Sequence, residues 1–163
     1  KMIFFVRTQV RVERVVAAME RVAISSEGLH GGIEQKDRFA ILDRFAKGEN
    51  KVLITTDVAC RGIDIPMVEA VINYDIPDNP ENYVHRCGRT GRGKHRGQAL
   101  SFCSESEKEL VLAIEEYTGD EIDRFDLDKG DYLEILGGSD DGSNNWQKLI
   151  DQENKFKDLD KEW

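Results

Sequence analysis

Short apolar runs separated by amphipathic helical stretches constrain this chain more than any other feature. Ile3-Phe4-Phe5-Val6, Val52-Leu53-Ile54-Thr55, Ala70-Val71-Ile72-Asn73-Tyr74 and Gln98-Ala99-Leu100-Ser101-Phe102-Cys103 each read as a strand, being short, apolar and rich in β-branched and aromatic side chains. Val12, Val15, Val16, Met19 and Val22 fall at spacings suited to one helical stripe. Phe39, Leu42 and Phe45 suit a second, ended by Gly48. Gly28-Leu29-His30-Gly31-Gly32 closes a further short strand, and Ser104 or Ser106 can cap a last helix running through Leu110, Ile114 and Tyr117 to Gly119. Strands alternating with helices imply right-handed crossovers and a mostly parallel sheet covered by helices on both faces. The expected class is therefore α/β. Ligands on such sheets lie beyond the carboxyl ends of the strands. Thr8, His30-Gly31, Thr55-Thr56-Asp57 and Asp75 all follow strand ends, so the candidate residues are expected on one rim.

A length of 163 residues allows one full core and an appendage. No apolar run approaches the ~18 residues of a membrane span, and the chain opens on no charged-then-apolar leader. A cytoplasmic protein is expected. Cys60, Cys87 and Cys103 are odd in number and widely spaced, which fits neither a disulfide framework nor a zinc site. The net charge of −9 conceals a division. Residues 1–103 carry 16 basic and 13 acidic side chains, whereas residues 104–163 carry 7 and 19. A mildly basic body can thus meet nucleic acid within an acidic protein.

Chemistry concentrates in His85-Arg86-Cys87-Gly88-Arg89-Thr90-Gly91-Arg92. If Pro80 opens a helix, arginines three apart lie along neighbouring faces, and their permanently charged forks suit a polyphosphate. Thr55-Thr56-Asp57-Val58-Ala59-Cys60-Arg61-Gly62-Ile63-Asp64 follows a strand directly. Hydroxyls and backbone N–H groups in such a turn can hold a phosphate or sugar oxygen. Asp64 can accept from ribose hydroxyls or orient an arginine. Gln35 and Arg38 sit near a helix start, where free N–H groups favour anions.

These segments together resemble the DEAD-box RNA helicases. Ile3-Phe4-Phe5-Val6-Arg7-Thr8 resembles motif IV, Leu29-His30-Gly31 through Gln35 and Arg38 resembles motif IVa, and Thr55 to Asp64 resembles motif V. Val71-Ile72-Asn73-Tyr74-Asp75-Ile76-Pro77 is similar to motif Va and His85 to Arg92 to motif VI. They stand in the family's order and cover roughly residues 1–118. The resemblance implies a three-layer RecA-like domain at 1–118, the C-terminal half of an ATP-dependent RNA helicase. Residues 119–163 would form an acidic extension with a flexible linker at 137–145 and a terminal helix-like segment.

By resemblance, Arg89 and Arg92 would be arginine fingers on the terminal phosphates of ATP, with Arg86 coupling the two domains. Asp64, Gly62 and His85 would join them around the nucleotide. Thr8, Arg7, Gly31, Gln35, Arg38, Thr55 and Thr56 would line the RNA backbone. The magnesium ligands that accompany ATP would belong to an N-terminal RecA-like domain, the second partner implied. The extension, with Trp146, Leu149 and Ile150 on one face, would pack on the sheet, bind a partner protein or compete with RNA.

The sequence departs from the family at Gly93-Lys94-His95-Arg96-Gly97, where a small residue and then glycine are usual. Asp120-Glu121-Ile122-Asp123 imitates the family's D-E-x-D signature but follows what reads as a helix end. A phosphate loop of the form G-x-x-x-x-G-K-[ST] is absent from the sequence, so this chain is expected not to hydrolyse ATP alone. Lys1-Met2-Ile3 reads as a strand with no cap before it, suggesting a piece of a longer chain. The rival readings are a DNA helicase, whose relatives open the arginine motif with Gln, and a non-catalytic module that tethers RNA or protein.

Overall fold

The computed structural model describes residues 1–63, 65, 68–91 and 97–125. Asp64, Arg92, the 93–96 departure and the expected linker and terminal segment lie outside the described residues. Lys1–Ile122 forms one compact unit, distinct from Asp123–Trp163.

Among its described residues the unit contains five strands, β1 (Met2–Phe5), β2 (Glu27–Leu29), β3 (Val52–Thr55), β4 (Ala70–Asn73) and β5 (Gln98–Ser101). Its helices are α1 (Gln9–Arg21), α2 (Gln35–Lys47), α3 (Asp57–Cys60), α4 (Pro80–Cys87) and α5 (Lys108–Thr118), the last preceded by a 3₁₀ turn at Glu105–Glu107. The strands pair in the order β2-β3-β1-β4-β5, every pairing parallel. The expected parallel α/β sheet is therefore present.

Alternation along the strands sorts the helices onto two faces. Ile3, Phe5, Leu29, Leu53 and Val71 meet Ile41 and Phe45 of α2, with Ala59 and Cys60 of α3. Phe4, Val6, Val52 and Ile54 meet Val12, Val15, Val16 and Met19 of α1. Full burial of a side chain of this size contributes about 1.5–3 kcal/mol. Each residue of β3 is buried, as a strand sandwiched between two helical layers must be. α1 lies so close to β2 that a Cβ on Gly28 would sit 2.7 Å from Val12 Cγ1. A third cluster of Ile76, Tyr83, Leu110, Val111, Ile114 and Ile122 joins α4 to α5.

Local signals explain most boundaries. Thr8 caps α1, its hydroxyl accepting from the Arg11 N–H at 3.3 Å. Gly48 and Gly119 stop α2 and α5 with φ of 78° and 75°, a region that glycine enters without strain. Ser104 and Glu107 form a capping box at the 3₁₀ turn.

Three expectations need correction. Phe39 is 63% exposed, because the buried stripe of α2 runs through Ile41 and Phe45, and two helical positions carry Phe39 about 200° away. Val22 is 62% exposed, since α1 ends at Arg21 before its stripe reaches that far. Pro80 does open α4, but the helix ends at Cys87, so Arg89 lies past its last turn rather than one face round from Arg86. The Asp120–Asp123 quartet follows Gly119 at the end of α5 and not a buried strand. Among the described residues no helix is long and apolar enough to cross a membrane.

Candidate nucleotide and nucleic-acid sites

Register decides where the chain leaves the sheet. Leu29 and Phe5 both pair with Thr55, and Phe5 also pairs with Asn73. Four adjacent strands therefore end level. Thr8, His30-Gly31 and Thr56-Asp57 follow those ends but divide between two settings, whereas the Asp75 carboxylate belongs to neither: it is buried, accepts from the Arg7 N–H at 2.8 Å and pairs with Arg11.

The first setting is a concavity of about 240 Å³ between α3 and α4 on the α2 side of the sheet. Phe5, Asp57, Cys60, Arg61, Gly62, Asn82, His85, Arg86 and Arg89 line it. Arg86 is only 2% exposed, with its guanidinium 5.1 Å from the centroid of the Phe5 ring. It grips Asp57 in a two-pronged pair, Nε to Oδ1 and Nη2 to Oδ2, both at 2.7 Å. Its Nη1 donates to Asn73 Oδ1 at 3.2 Å and to the Asp75 carbonyl at 2.8 Å. Four hydrogen bonds occupy nearly all of a guanidinium's five N–H groups. Arg86 thus serves the interior and offers no free fork to the cavity.

Arg89 differs. It is half-buried, and among the described residues its guanidinium donates from Nη1 to the Ile63 carbonyl at 2.6 Å. The exposed His85 and Arg61 stand on the same wall, Arg61 reaching Asn82 Oδ1 at 3.5 Å. A donor-rich, open cavity of this kind suits the terminal phosphates of a nucleotide. Burial pushes the Cys60 thiol above its usual range, with the Arg89 charge opposing. Burial likewise raises the Cys87 thiol. Both stay protonated at neutral pH.

The second setting is the rim of loops after β1, β2 and β3. Thr8, Gly31 and Gln35 are exposed there. Arg38 is half-buried, donating from Nη1 to the His30 carbonyl at 3.3 Å and from Nη2 to the Ala59 carbonyl at 3.1 Å. Thr56 caps α3, its hydroxyl accepting from the Ala59 N–H at 3.4 Å. His30 Nδ1 accepts from the Gly32 N–H at 3.2 Å, which folds the loop back on itself.

Two expected rim residues sit elsewhere. Thr55 is wholly buried and its hydroxyl donates to the Leu29 carbonyl at 2.9 Å, pinning β2 to β3. Arg7 turns toward β4 and α5, where it meets Asp78, Glu107 and the Ile76 carbonyl. Glu107 is itself stabilised as a carboxylate: burial opposes ionisation, but hydrogen bonds from Ser104 and the Arg7 charge outweigh it.

Asn82 was not expected as a site residue, and Asp57 and Arg61 were expected only as members of a strand-end segment, with no partner assigned to either. Asp57 had a signal, since an acidic residue directly after a strand and two threonines is placed to receive a buried arginine. Asn82 had none, because nothing local tells a cavity-lining helix residue from a solvated one.

α3 is held at both ends by this arrangement. Arg38, from the rim, binds its Ala59 carbonyl, and Arg86, from the cavity, binds its Asp57 carboxylate. A four-residue helix that packs on the core through Ala59 and Cys60 is further fixed by two guanidinium groups belonging to two settings.

The model of the helicase conserved C-terminal domain matches residues 1–94. ATP-dependent RNA helicase DbpA of Bacillus subtilis is 44% identical over 124 residues, covering 76% of this chain and 26% of that protein. ATP-dependent rRNA helicase RRP3 of Saccharomyces cerevisiae is 37% identical over 156 residues, covering 96% and 31%. The chain thus spans roughly a quarter to a third of the relatives it matches. Among solved structures, the Escherichia coli DEAD-box protein SrmB, bound to the regulator of ribonuclease activity A, aligns with a TM-score of 0.75 at 34% identity, covering 79% of this chain and 76% of that one. S. cerevisiae Dbp5 bound to RNA and ADP BeF3 aligns at 0.73 and 35%, covering 84% and 37%. The matching family model, the identity to these helicases and the shared architecture together show that the chain belongs to the DEAD-box RNA helicase family as a C-terminal RecA-like helicase domain.

Proposed function

We propose that this domain completes the ATP site of an RNA helicase and grips the RNA backbone, coupling hydrolysis of the nucleotide to local separation of RNA strands. The bracing of α3 carries this reading. Movement of the rim on binding RNA reaches the Ala59 end of α3 through Arg38, and movement of the cavity on binding nucleotide reaches its Asp57 end through Arg86. A helix this short, held at both ends and packed on the core only through Ala59 and Cys60, moves as one piece and so passes displacement from one setting to the other.

Arg89 is the finger. Its charge is held at the cavity wall by the Ile63 carbonyl and would stabilise the negative charge spread over the transferring phosphoryl group. Arg92 and Asp64 are assigned by motif to the phosphates and the ribose. Gly62 and His85 complete the wall. Thr8, Gly31, Gln35, Arg38 and Thr56 contact sugar and phosphate, which favours RNA of any sequence. Thr55 and Arg7 position the loops that make those contacts. Magnesium and the attacking water are assigned to an N-terminal RecA-like domain, so the present chain alone turns over no ATP. The proteins bound to the related structures make a protein partner for residues 119–163 a reasonable further assignment.

The deciding measurement is RNA-stimulated ATP hydrolysis by the complete gene product, with and without Arg89→Ala. Turnover that needs RNA and falls about 10³-fold or more in the variant supports the reading. A folded complete product that binds RNA but shows no turnover would make the domain a tether instead.

A further inference from the structure

Gln9 is the residue whose placement no motif accounts for. It follows the cap Thr8 in the first turn of α1, is exposed, and reaches across to the loop after β2. A Cβ on Gly32 would lie 2.6 Å from Gln9 Nε2 and 3.0 Å from both Cδ and Oε1. The carboxamide therefore lies flat on Gly32 and occupies the space a side chain there would need. β3 separates β1 from β2 in the sheet, so this contact spans the carboxyl end of β3, where Thr56 emerges. Among the described residues the carboxamide has no hydrogen-bond partner.

We infer that the Gln9 carboxamide is a further RNA contact, directed at a ribose 2′-hydroxyl between the Thr8 and Gly31 positions of the rim. The inference rests on the proposed RNA rim and adds to it a residue and a chemical target. A carboxamide offers two donors and an acceptor, and a 2′-hydroxyl is both donor and acceptor, so the two match in both directions. A phosphate accepts only, and a lysine would serve it better. The bare surface of Gly32 is what lets the amide lie at this height. Gly32 itself has no left-handed φ, so its backbone would accept alanine, and only the amide stands in the way.

The test pairs protein variants with single 2′-deoxy substitutions along a short single-stranded RNA, binding being measured on the complete gene product with a non-hydrolysable ATP analogue. One 2′-deoxy position should weaken the wild type about three- to tenfold, the range of a single hydrogen bond. In Gln9→Ala that same position should cost nothing further, the RNA already being bound three- to tenfold more weakly. Gly32→Ala should reproduce the pattern by displacing the amide, and the double variant should be no weaker than either single one. Thermal midpoints within a degree or two of wild type would separate this from a folding effect. If every 2′-deoxy position costs Gln9→Ala as much as wild type, the inference is wrong. It is also wrong if Gln9→Ala leaves RNA affinity intact while Arg38→Ala lowers it, an outcome that preserves the rim. Should Arg38→Ala leave affinity intact as well, the rim reading fails with it.

Discussion

The cavity and the rim leave the same sheet at the same level and are built on opposite plans. The cavity is organised by a buried charge: Arg86, Asp57 and Asn73 form a closed network beneath Arg89. The rim is organised by small residues and caps, with Thr8 and Thr56 starting helices and Gly31 and Gly32 leaving the surface low. A buried network rigidifies its surroundings but makes each member costly to lose. Caps and glycines cost little to alter and leave backbone groups open to a ligand. The difference teaches that the cavity should couple function to stability, whereas the rim should keep them apart.

Two arginines three residues apart give the largest test of that contrast. Arg89→Ala should lower RNA-stimulated turnover about 10³-fold or more while barely shifting the denaturant midpoint. Arg86→Ala should instead destabilise the domain by about 3–5 kcal/mol, because it strands the Asp57 carboxylate. Urea titration of both variants separates the roles, and equal loss of stability in the two would erase the distinction drawn between them.

On the rim the effects shrink. Thr8→Ala and Thr56→Ala each remove one helix cap and should cost about 1 kcal/mol, with RNA affinity falling alongside. A stability loss as large as that of Arg86→Ala would mean the rim is no looser than the cavity.

The smallest effect concerns the thiols. Cys60 and Cys87 have pKa values raised by burial. Above about pH 8.5 the unfolded chain releases these protons while the folded one keeps them. Stability should therefore be level below that pH and decline above it, and Cys60→Val should flatten the decline. Exposed Cys103 should react first with iodoacetamide, and nucleotide should slow the labelling of Cys60, which lines the cavity. Labelling of Cys60 at the rate of Cys103 would show the cavity wall to be open.

Much of the fold was readable from the sequence because its signals are local. Gly48, Gly119, Pro80 and Ser104 mark helix ends through their own backbone or side-chain chemistry. Phe39 misled for the opposite reason, since apolar spacing does not say which of two overlapping stripes meets the sheet. The arginine segment was recognisable as a unit, yet its spacing said nothing of depth. Arg86 and Arg89 have the same chemistry, and only the end of α4 at Cys87 sends one inward to Asp57 and the other to the cavity wall.

By itself the sequence determined the alternation of strand and helix, the order of the motifs and the types of residue available to bind phosphate and sugar, all of which depend on near neighbours. The tertiary structure alone decided which of those residues are spent on the interior. Thr55 and Arg86 are consumed by partners 26 and 29 positions away, and Gln9 comes to lie on Gly32 only because α1 crosses β3 to reach β2. Parallel pairing brings together segments far apart in the chain, and no local pattern encodes which hydroxyl or guanidinium will find its partner there.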